Sequence, residues 1–335
     1  MQTRRLGRTE LKVSVIGFGG IPIQRLTSAD AERVLLRAAD RGITFFDTAR
    51  GYTDSEEKIG RALAARRGEL VIATKALSRD AAGMAAEVET SLRNLRTDVI
   101  DLYQLHCISS DRDLDRVMGP GGAYEALSRA RDRGQVRFIG ITSHSRPVLL
   151  RAIATGVFDT VQHPINPIET EWREDVVPAA RQADLGTIAM KPAAGGAIGD
   201  VPAALRYELA AGMDVVIPGM DSTEQVDANA AVGEELRPPT AKEQTDLEEE
   251  KKRWGTSFCR RCGYCMPCPN GLQIPFLLLI QAYYVRYGMR DWALERLAGL
   301  EKTYADCVAC GECVTRCPYE LPIPELMARA AEEVV

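Results

Sequence analysis

Ile43-Thr44-Phe45-Phe46-Asp47-Thr48-Ala49-Arg50-Gly51-Tyr52-Thr53-Asp54-Ser55-Glu56-Glu57-Lys58-Ile59 holds the unit that decides the fold. Residues 43–46 are β-branched and aromatic, a polar loop follows, and a helix-period segment closes the unit. Thr53-x-x-Glu56 predicts a capping box at the helix start, with Ile59, Ala62 and Leu63 turned inward. The unit recurs along the chain. Runs at 13–18, 43–46, 70–74, 100–105, 137–142, 159–162, 187–190 and 214–217 read as strands with helical segments between them. One such helix, 29–41, carries Ala31, Val34, Leu35, Ala38 and Ala39 on one face and stops at Gly42. Eight strand–helix units in about 220 residues predict an α/β fold, a (β/α)8 TIM barrel, whose usual size is about 250 residues. A doubly wound sheet is the alternative, but no Gly-x-Gly-x-x-Gly follows the first strand. Ahead of the barrel, 4–6 and 11–13 predict a hairpin around Gly7-Arg8-Thr9-Glu10.

The barrel pattern ends at Glu234, and Pro238-Pro239 is the first clear linker. Thr240-x-x-Glu243 caps a helix whose residues 246–253 are almost all charged, a solvated connector by composition. The expected division is a barrel over 1–236, a linker helix over 237–256 and a small α-rich module over 257–335. The module's apolar stretch, 276–300, is expected to be helical and to pack the module against the barrel.

With 45% hydrophobic and 27% charged residues and a formal charge of −5, the composition is that of a globular protein with no basic stripe for nucleic acid. The longest apolar stretch, 274–285, is shorter than the roughly 20 residues of a membrane span. The polar first residues carry no leader pattern, so the expected location is the cytoplasm and the expected partners include neither membrane nor nucleic acid.

Of nine cysteines, eight form two tight runs. The second is Cys307-x2-Cys310-x2-Cys313-x3-Cys317-Pro318 and the first is Cys259-x2-Cys262-x2-Cys265-x2-Cys268-Pro269. Clustering of this kind points to metal rather than disulfides. Three thiolates two residues apart wrap one cuboidal cluster, and the cysteine before the proline is aimed at a neighbouring one. Two structural zinc sites are the competing reading, although zinc takes its cysteines as separated pairs. Over 259–318 the runs resemble two-cluster bacterial ferredoxins. That resemblance implies two [4Fe–4S] clusters, one on Cys259, Cys262, Cys265 and Cys317, the other on Cys307, Cys310, Cys313 and Cys268. The first run is one residue short before Cys268.

Asp47, Tyr52, Lys75 and His106 stand where predicted strands end, the rim at which barrel enzymes place their chemistry. A tyrosine beside an ammonium that is itself held by a carboxylate is a proton donor for a carbonyl oxygen. Phe46-Asp47-Thr48-Ala49-x-x-Tyr52-x-x-Ser55-Glu56 and Leu102-Tyr103-x-Leu105-His106 resemble the aldo-keto reductase family over roughly 3–235. The resemblance implies Tyr52 as general acid/base, Lys75 as its pKa partner, Asp47 as the lysine's anchor and His106 as the orienter of the carbonyl. For the cofactor it implies Ser143, His144 and Gln162 at the nicotinamide amide. At the phosphate and adenosine end it implies Gly219, Ser222, Gln225 and Asn229, with a helix N-terminus meeting the ligand. Two departures stand out. The stretch Gly219 to Gln225 has two carboxylates and no cation, which favours NAD(H) over NADP(H). Met190-Lys191-Pro192 replaces the family's aromatic-Ser-Pro, placing Lys191 to meet a pyrophosphate. His144 as an ordinary loop residue and Cys107 as simple packing are the bland alternatives.

These readings converge on an NAD(P)H-dependent oxidoreductase interconverting a carbonyl and an alcohol, with clusters that exchange electrons with a partner protein. A one-electron reductase acting in the barrel pocket is one alternative, and an ordinary reductase with structural clusters is the other. The loop 19–23 together with Arg50 and Ile108 is the expected pocket lining, and Arg50 hints at an anionic substrate.

Overall fold

Strand β1 (Thr3–Arg5) pairs antiparallel with β2 (Lys12–Ser14), with a 3-10 turn at Gly7–Thr9 between them, as the sequence predicts. Gly7 has φ +49°, and a Cβ there would lie 2.1 Å from the Gly186 nitrogen, so only glycine lets the turn approach the barrel. Leu6, Leu11 and Val13 are buried against inward-facing Phe45, Val71, Leu102, Ile188 and Val215. The hairpin is therefore the floor of the barrel. The computed structural model describes residues 1–334.

The barrel strands are β3 (Phe18–Gly19), β4 (Phe45–Asp47), β5 (Val71–Ala76), β6 (Ile100–Leu105), β7 (Val136–Thr142), β8 (Thr160–Pro164), β9 (Gly186–Met190) and β10 (Val215–Ile217), each parallel to the next. Closure runs through Gly17 N–H to the Val216 carbonyl at 2.8 Å and Gly19 N–H to the Pro218 carbonyl at 2.9 Å. The run 13–18 is thus two elements rather than one strand. Ser14 breaks it: its side chain accepts from Thr44 N–H at 2.9 Å and donates to the Ile16 carbonyl at 2.6 Å, turning the chain from floor to wall.

Helices α1 (Ser28–Asp40), α2 (Ser55–Ala62), α3 (Ala81–Leu95), α4 (Asp111–Met118), α5 (Ala123–Asp132), α6 (Arg146–Ala154), α7 (Val176–Gln182), α8 (Val201–Ala210) and α9 (Thr223–Glu234) form the outer layer. The capping box expected for α2 does not form. Its N-cap is Asp54, and Glu56 turns inward to accept from Thr74 at 2.7 Å, Ser91 at 2.8 Å, Asn94 at 3.0 Å and Arg50 at 3.0 Å. Two buried and two part-buried donors outcompete one backbone N–H.

Helix α10 (Ala241–Trp254) does begin with its capping box. It is more than a solvated connector. Leu247 is buried with Ala203 and Ala204, and Glu243 pairs with Arg206 at 2.7 Å and Arg237 at 2.8 Å. The module contributes α11 (Ile274–Val285), α12 (Arg290–Ala298), α13 (Glu312–Thr315) and α14 (Ile323–Glu333). The stretch 276–300 is two helices because Gly288, at φ +64°, ends the first. Ile21, from the loop after β3, packs with Ile280, Tyr283 and Trp292, so the helical pair lies over the C-terminal rim. Among the described residues no helix is long and apolar enough to cross a membrane.

Candidate active site and cluster-binding module

Asp47 ends β4, Lys75 sits near the end of β5, and His106 follows β6. Parallel register places these strand ends on one rim, and Tyr52 reaches it from the loop before α2. Lys75 Nζ donates to Asp47 Oδ2 at 2.5 Å and to the Thr48 carbonyl at 2.8 Å. It lies 5.1 Å from the centre of the Tyr52 ring. The His106 ring meets Tyr52 edge-on at 5.9 Å. All four residues come together.

Burial sets the electrostatics. It pushes the Asp47 carboxyl up, against the pull of Lys75, and pushes the Lys75 ammonium down, against Asp47. It holds His106 well below its ordinary value, leaving a neutral imidazole whose buried Nδ1 has no partner. The Tyr52 phenol is raised well above its usual range, by burial first and Asp47 second. Arg261 opposes that rise. Asp47→Asn would leave the buried ammonium uncompensated, with an expected loss of about 3–5 kcal/mol of stability. Urea denaturation measures it, and an unchanged midpoint would contradict a strong Lys75–Asp47 pair.

Sequence reasoning missed several participants. Gln104 donates to Gln162 at 2.8 Å and to Asp47 at 3.4 Å. Tyr283, from α11, is buried near Tyr52. Arg261, from the first cysteine run, donates to His144 Nε2 at 2.9 Å and acts electrostatically on Tyr52, His106 and Cys107. Arg50 is engaged by Glu56 at 3.0 Å and Glu87 at 2.8 Å, so its charge is already paired within the protein.

The expected cofactor residues line the same rim with uneven freedom. The Ser143 hydroxyl donates to the Ile108 carbonyl at 2.6 Å, and the His144 ring is engaged by Arg261. Gln162 is bound to Gln104. Ser222 caps α9 by accepting from Gln225 N–H at 3.2 Å, while the Gln225 side chain accepts from Asp221 N–H at 2.9 Å. Asn229 is buried one turn further along. A Cβ on Gly219 would lie 2.7 Å from Pro22. Asp221 is not uncompensated, because Arg25 pairs with it and also reaches the Tyr287 carbonyl. Lys191 holds φ +59° on the rim.

All nine cysteines of the chain are unpaired thiols, eight of them in the module and Cys107 in the barrel. Cys259 interacts with Cys265, Cys262 and Cys317, and Cys313 with Cys307, Cys310 and Cys268. Cys265 also acts on Cys313, so the two cysteine runs sit side by side. Burial, with the neighbouring cysteines adding to it, pushes the Cys259 and Cys265 thiols up to about 12. Among the described residues no three His, Cys, Asp or Glu side chains converge tightly enough to hold a single ion. The second quartet lines one pocket together with Leu272, Ile274 and Met327. Its Cys310 is exposed beside Val308, which is 67% exposed.

Where module and barrel meet, Arg260 donates to the Ile168 carbonyl at 3.3 Å and lies 3.8 Å from the Tyr319 ring. Glu169 is buried beside them, accepting from Asn166 at 2.8 Å, and burial raises its carboxyl to about 7. Its folded value lies above the unfolded 4.5, so stability falls as pH rises through this window. Glu169→Gln removes the penalty. The variant's advantage over wild type is expected to grow by about 3 kcal/mol from pH 4.5 to about pH 8, read by urea denaturation at both pH values. A constant difference would contradict a buried, titrating Glu169.

Residues 15–200 match the profile of the aldo/keto reductase family, and 258–322 match a 4Fe-4S dicluster domain. The aldo-keto reductase YhdN of Bacillus subtilis is 32% identical over 207 residues, covering 56% of this chain and 61% of that protein. The uncharacterized oxidoreductase YrpG of the same organism is 32% identical over 232 residues, covering 59% and 68%. The chain thus spans about three-fifths to two-thirds of these relatives. An aldo-keto reductase from Bacillus halodurans in its holo form superposes with a TM-score of 0.64 at 26% identity, over 75% of this chain and 96% of that one. With more than half of its length in the matching profile and a barrel that superposes on known members, this chain belongs to the aldo/keto reductase family.

Proposed function

We propose that the protein interconverts a carbonyl compound and its alcohol at the barrel rim, beneath a module that carries two [4Fe–4S] clusters. The convergence of Tyr52, Lys75, Asp47 and His106 on one point carries this reading. A reduced nicotinamide, when bound, supplies the hydride. The Tyr52 phenol gives its proton to the carbonyl oxygen, and the neutral His106 imidazole orients that oxygen. Asp47 fixes Lys75, and the Arg261 charge counters the burial that holds the phenol's proton. The residues for the amide are already engaged at Ser143 and His144, so binding there requires Arg261 to give up His144. At the phosphate end stand the α9 N-terminus and Lys191.

NAD(H) is the expected nucleotide, because Arg25, the cation that reaches Asp221 ahead of α9, is already taken by Asp221 and the Tyr287 carbonyl. Anaerobic calorimetry should give tighter NADH than NADPH binding, and the reverse order contradicts this. Aldehyde-dependent nucleotide oxidation by the cluster-loaded protein tests the reading itself. No such oxidation with either nucleotide would overturn it.

The donor set suits iron–sulfur clusters: eight cysteines in two neighbouring runs, each opening with three cysteines two residues apart. We assign Cys259, Cys262, Cys265 and Cys317 to the first cluster and Cys268, Cys307, Cys310 and Cys313 to the second. The barrel is 1–236, the connector 237–256 and the module 257–335. The exposed edge at Val308 and Cys310 is the place for electron exchange with a partner. One observation favours a one-electron reading beside this one, since Cys259 lines the cavity between module and rim.

A further inference from the structure

A cavity of about 200 Å³ lies between the barrel rim and the module. Lys191, Arg261, Arg286 and Arg329 line it, with Trp254 and Leu279 on its apolar wall. Among the described residues the single acid lining it is Glu333, which is 3.8 Å from Arg329 and accepts from Gln281. Among the described residues Lys191, Arg261 and Arg286 form no ion pair, and the buried Nε of Arg286 has no hydrogen-bond partner. Gathering like charges in a partly desolvated space is unfavourable unless a counter-charge joins them.

The two cysteine loops supply an internal control. Cys259-Arg260-Arg261-Cys262-Gly263 corresponds to Cys307-Val308-Ala309-Cys310-Gly311. Arg261 and Ala309 share the left-handed backbone, at φ +58° and +52°. Alanine therefore satisfies the loop, and nothing in its backbone calls for a long cation. The arginine stands in the loop that faces the barrel, where it lines the cavity and also bonds His144 beside the Tyr52 site. Lys191, opposite, holds a left-handed backbone at φ +59° that residues with a Cβ disfavour.

We propose that this cavity binds the acid group of an organic anion, so that the protein's substrate is a carbonyl or alcohol compound bearing a carboxylate or a phosphate, held by Arg261 and Arg286. This rests on the carbonyl reading above and names its substrate class. The module then completes the reaction site. An alternative role for the arginines is to offset the negative charge of the first cluster, since Cys259 lines the same cavity.

Anaerobic calorimetry on the full, cluster-loaded chain separates the two. The probes are para-carboxybenzaldehyde, para-formylphenyl phosphate and the uncharged methyl ester of the first. At least one acid should bind about tenfold or more tightly than the ester, and the stronger of the two identifies the acid group. Arg286→Gln should weaken the acid by about tenfold, leave the ester unchanged and retain the iron. Arg261→Ala, which the second loop shows to be compatible with the fold, should also weaken the acid by about tenfold. Equal binding of acid and ester would overturn the proposal. So would an Arg286→Gln protein whose cluster midpoint shifts while acid affinity holds. Arginine-dependent acid binding without any nucleotide-dependent reduction supports this site and removes the carbonyl reading. Reduction of the ester with no acid preference does the reverse.

Discussion

Tyr52→Phe is expected to lower carbonyl turnover by about 10²–10⁴-fold while nucleotide affinity stays unchanged. The phenol is the one proton-bearing group at the rim held against both Lys75 and His106. Phenylalanine keeps the ring that these residues pack on and removes only the hydroxyl. Neutral His106 cannot substitute readily, because burial and the neighbouring cations Lys75, Arg79 and Arg261 disfavour its protonated form. Steady-state kinetics with separate calorimetry of the nucleotide distinguishes lost chemistry from lost binding. Full turnover in the variant would remove Tyr52 from the reaction.

Cys265→Ala is expected to lose about half of the bound iron and to loosen the whole module. Cys265 is 7% exposed and packs with Leu272, Leu277, Tyr304 and Met327, so the first quartet is part of the module's core rather than an attachment to it. A core this small depends on its metal for much of its folding energy. The effect should extend to the barrel mouth, because Arg261 and Tyr283 stand beside Tyr52. Iron analysis and amide hydrogen exchange are the measurements. Exchange should rise across α11 and α14 while the barrel strands stay protected. Unchanged iron content would contradict the assignment of Cys265.

The barrel was legible because its periodicity is local. Strand runs and helical faces alternate within a few residues, and 100–105 is a strand from end to end. The four rim residues were legible for the same reason, since parallel strands bring their ends to one level. Where local rules met a tertiary competitor, they failed. Glu56 has the position of a capping residue, but Thr74, Ser91, Asn94 and Arg50 offer it more. Arg50 suggested an anionic substrate and instead belongs to that buried carboxylate. Arg25 closes on Asp221 from 196 residues away, which the acidic stretch alone does not reveal. Arg261 meets His144 across 117 residues, through the folding of the module onto the rim. A signal for it did exist in the sequence: the mismatch between Arg261 and Ala309 in otherwise matching loops.

The central claim is hydride chemistry at Tyr52 in a site that lies directly under an iron–sulfur module. Its most direct test is an anaerobic single turnover of the cluster-loaded protein with nicotinamide deuterated at its reactive carbon and para-carboxybenzaldehyde. The product alcohol is analysed by mass spectrometry and the clusters by EPR in the same sample. Deuterium on the carbinol carbon with no reduced-cluster signal is the expected result. Alcohol formed without deuterium, alongside a reduced-cluster signal, would contradict it.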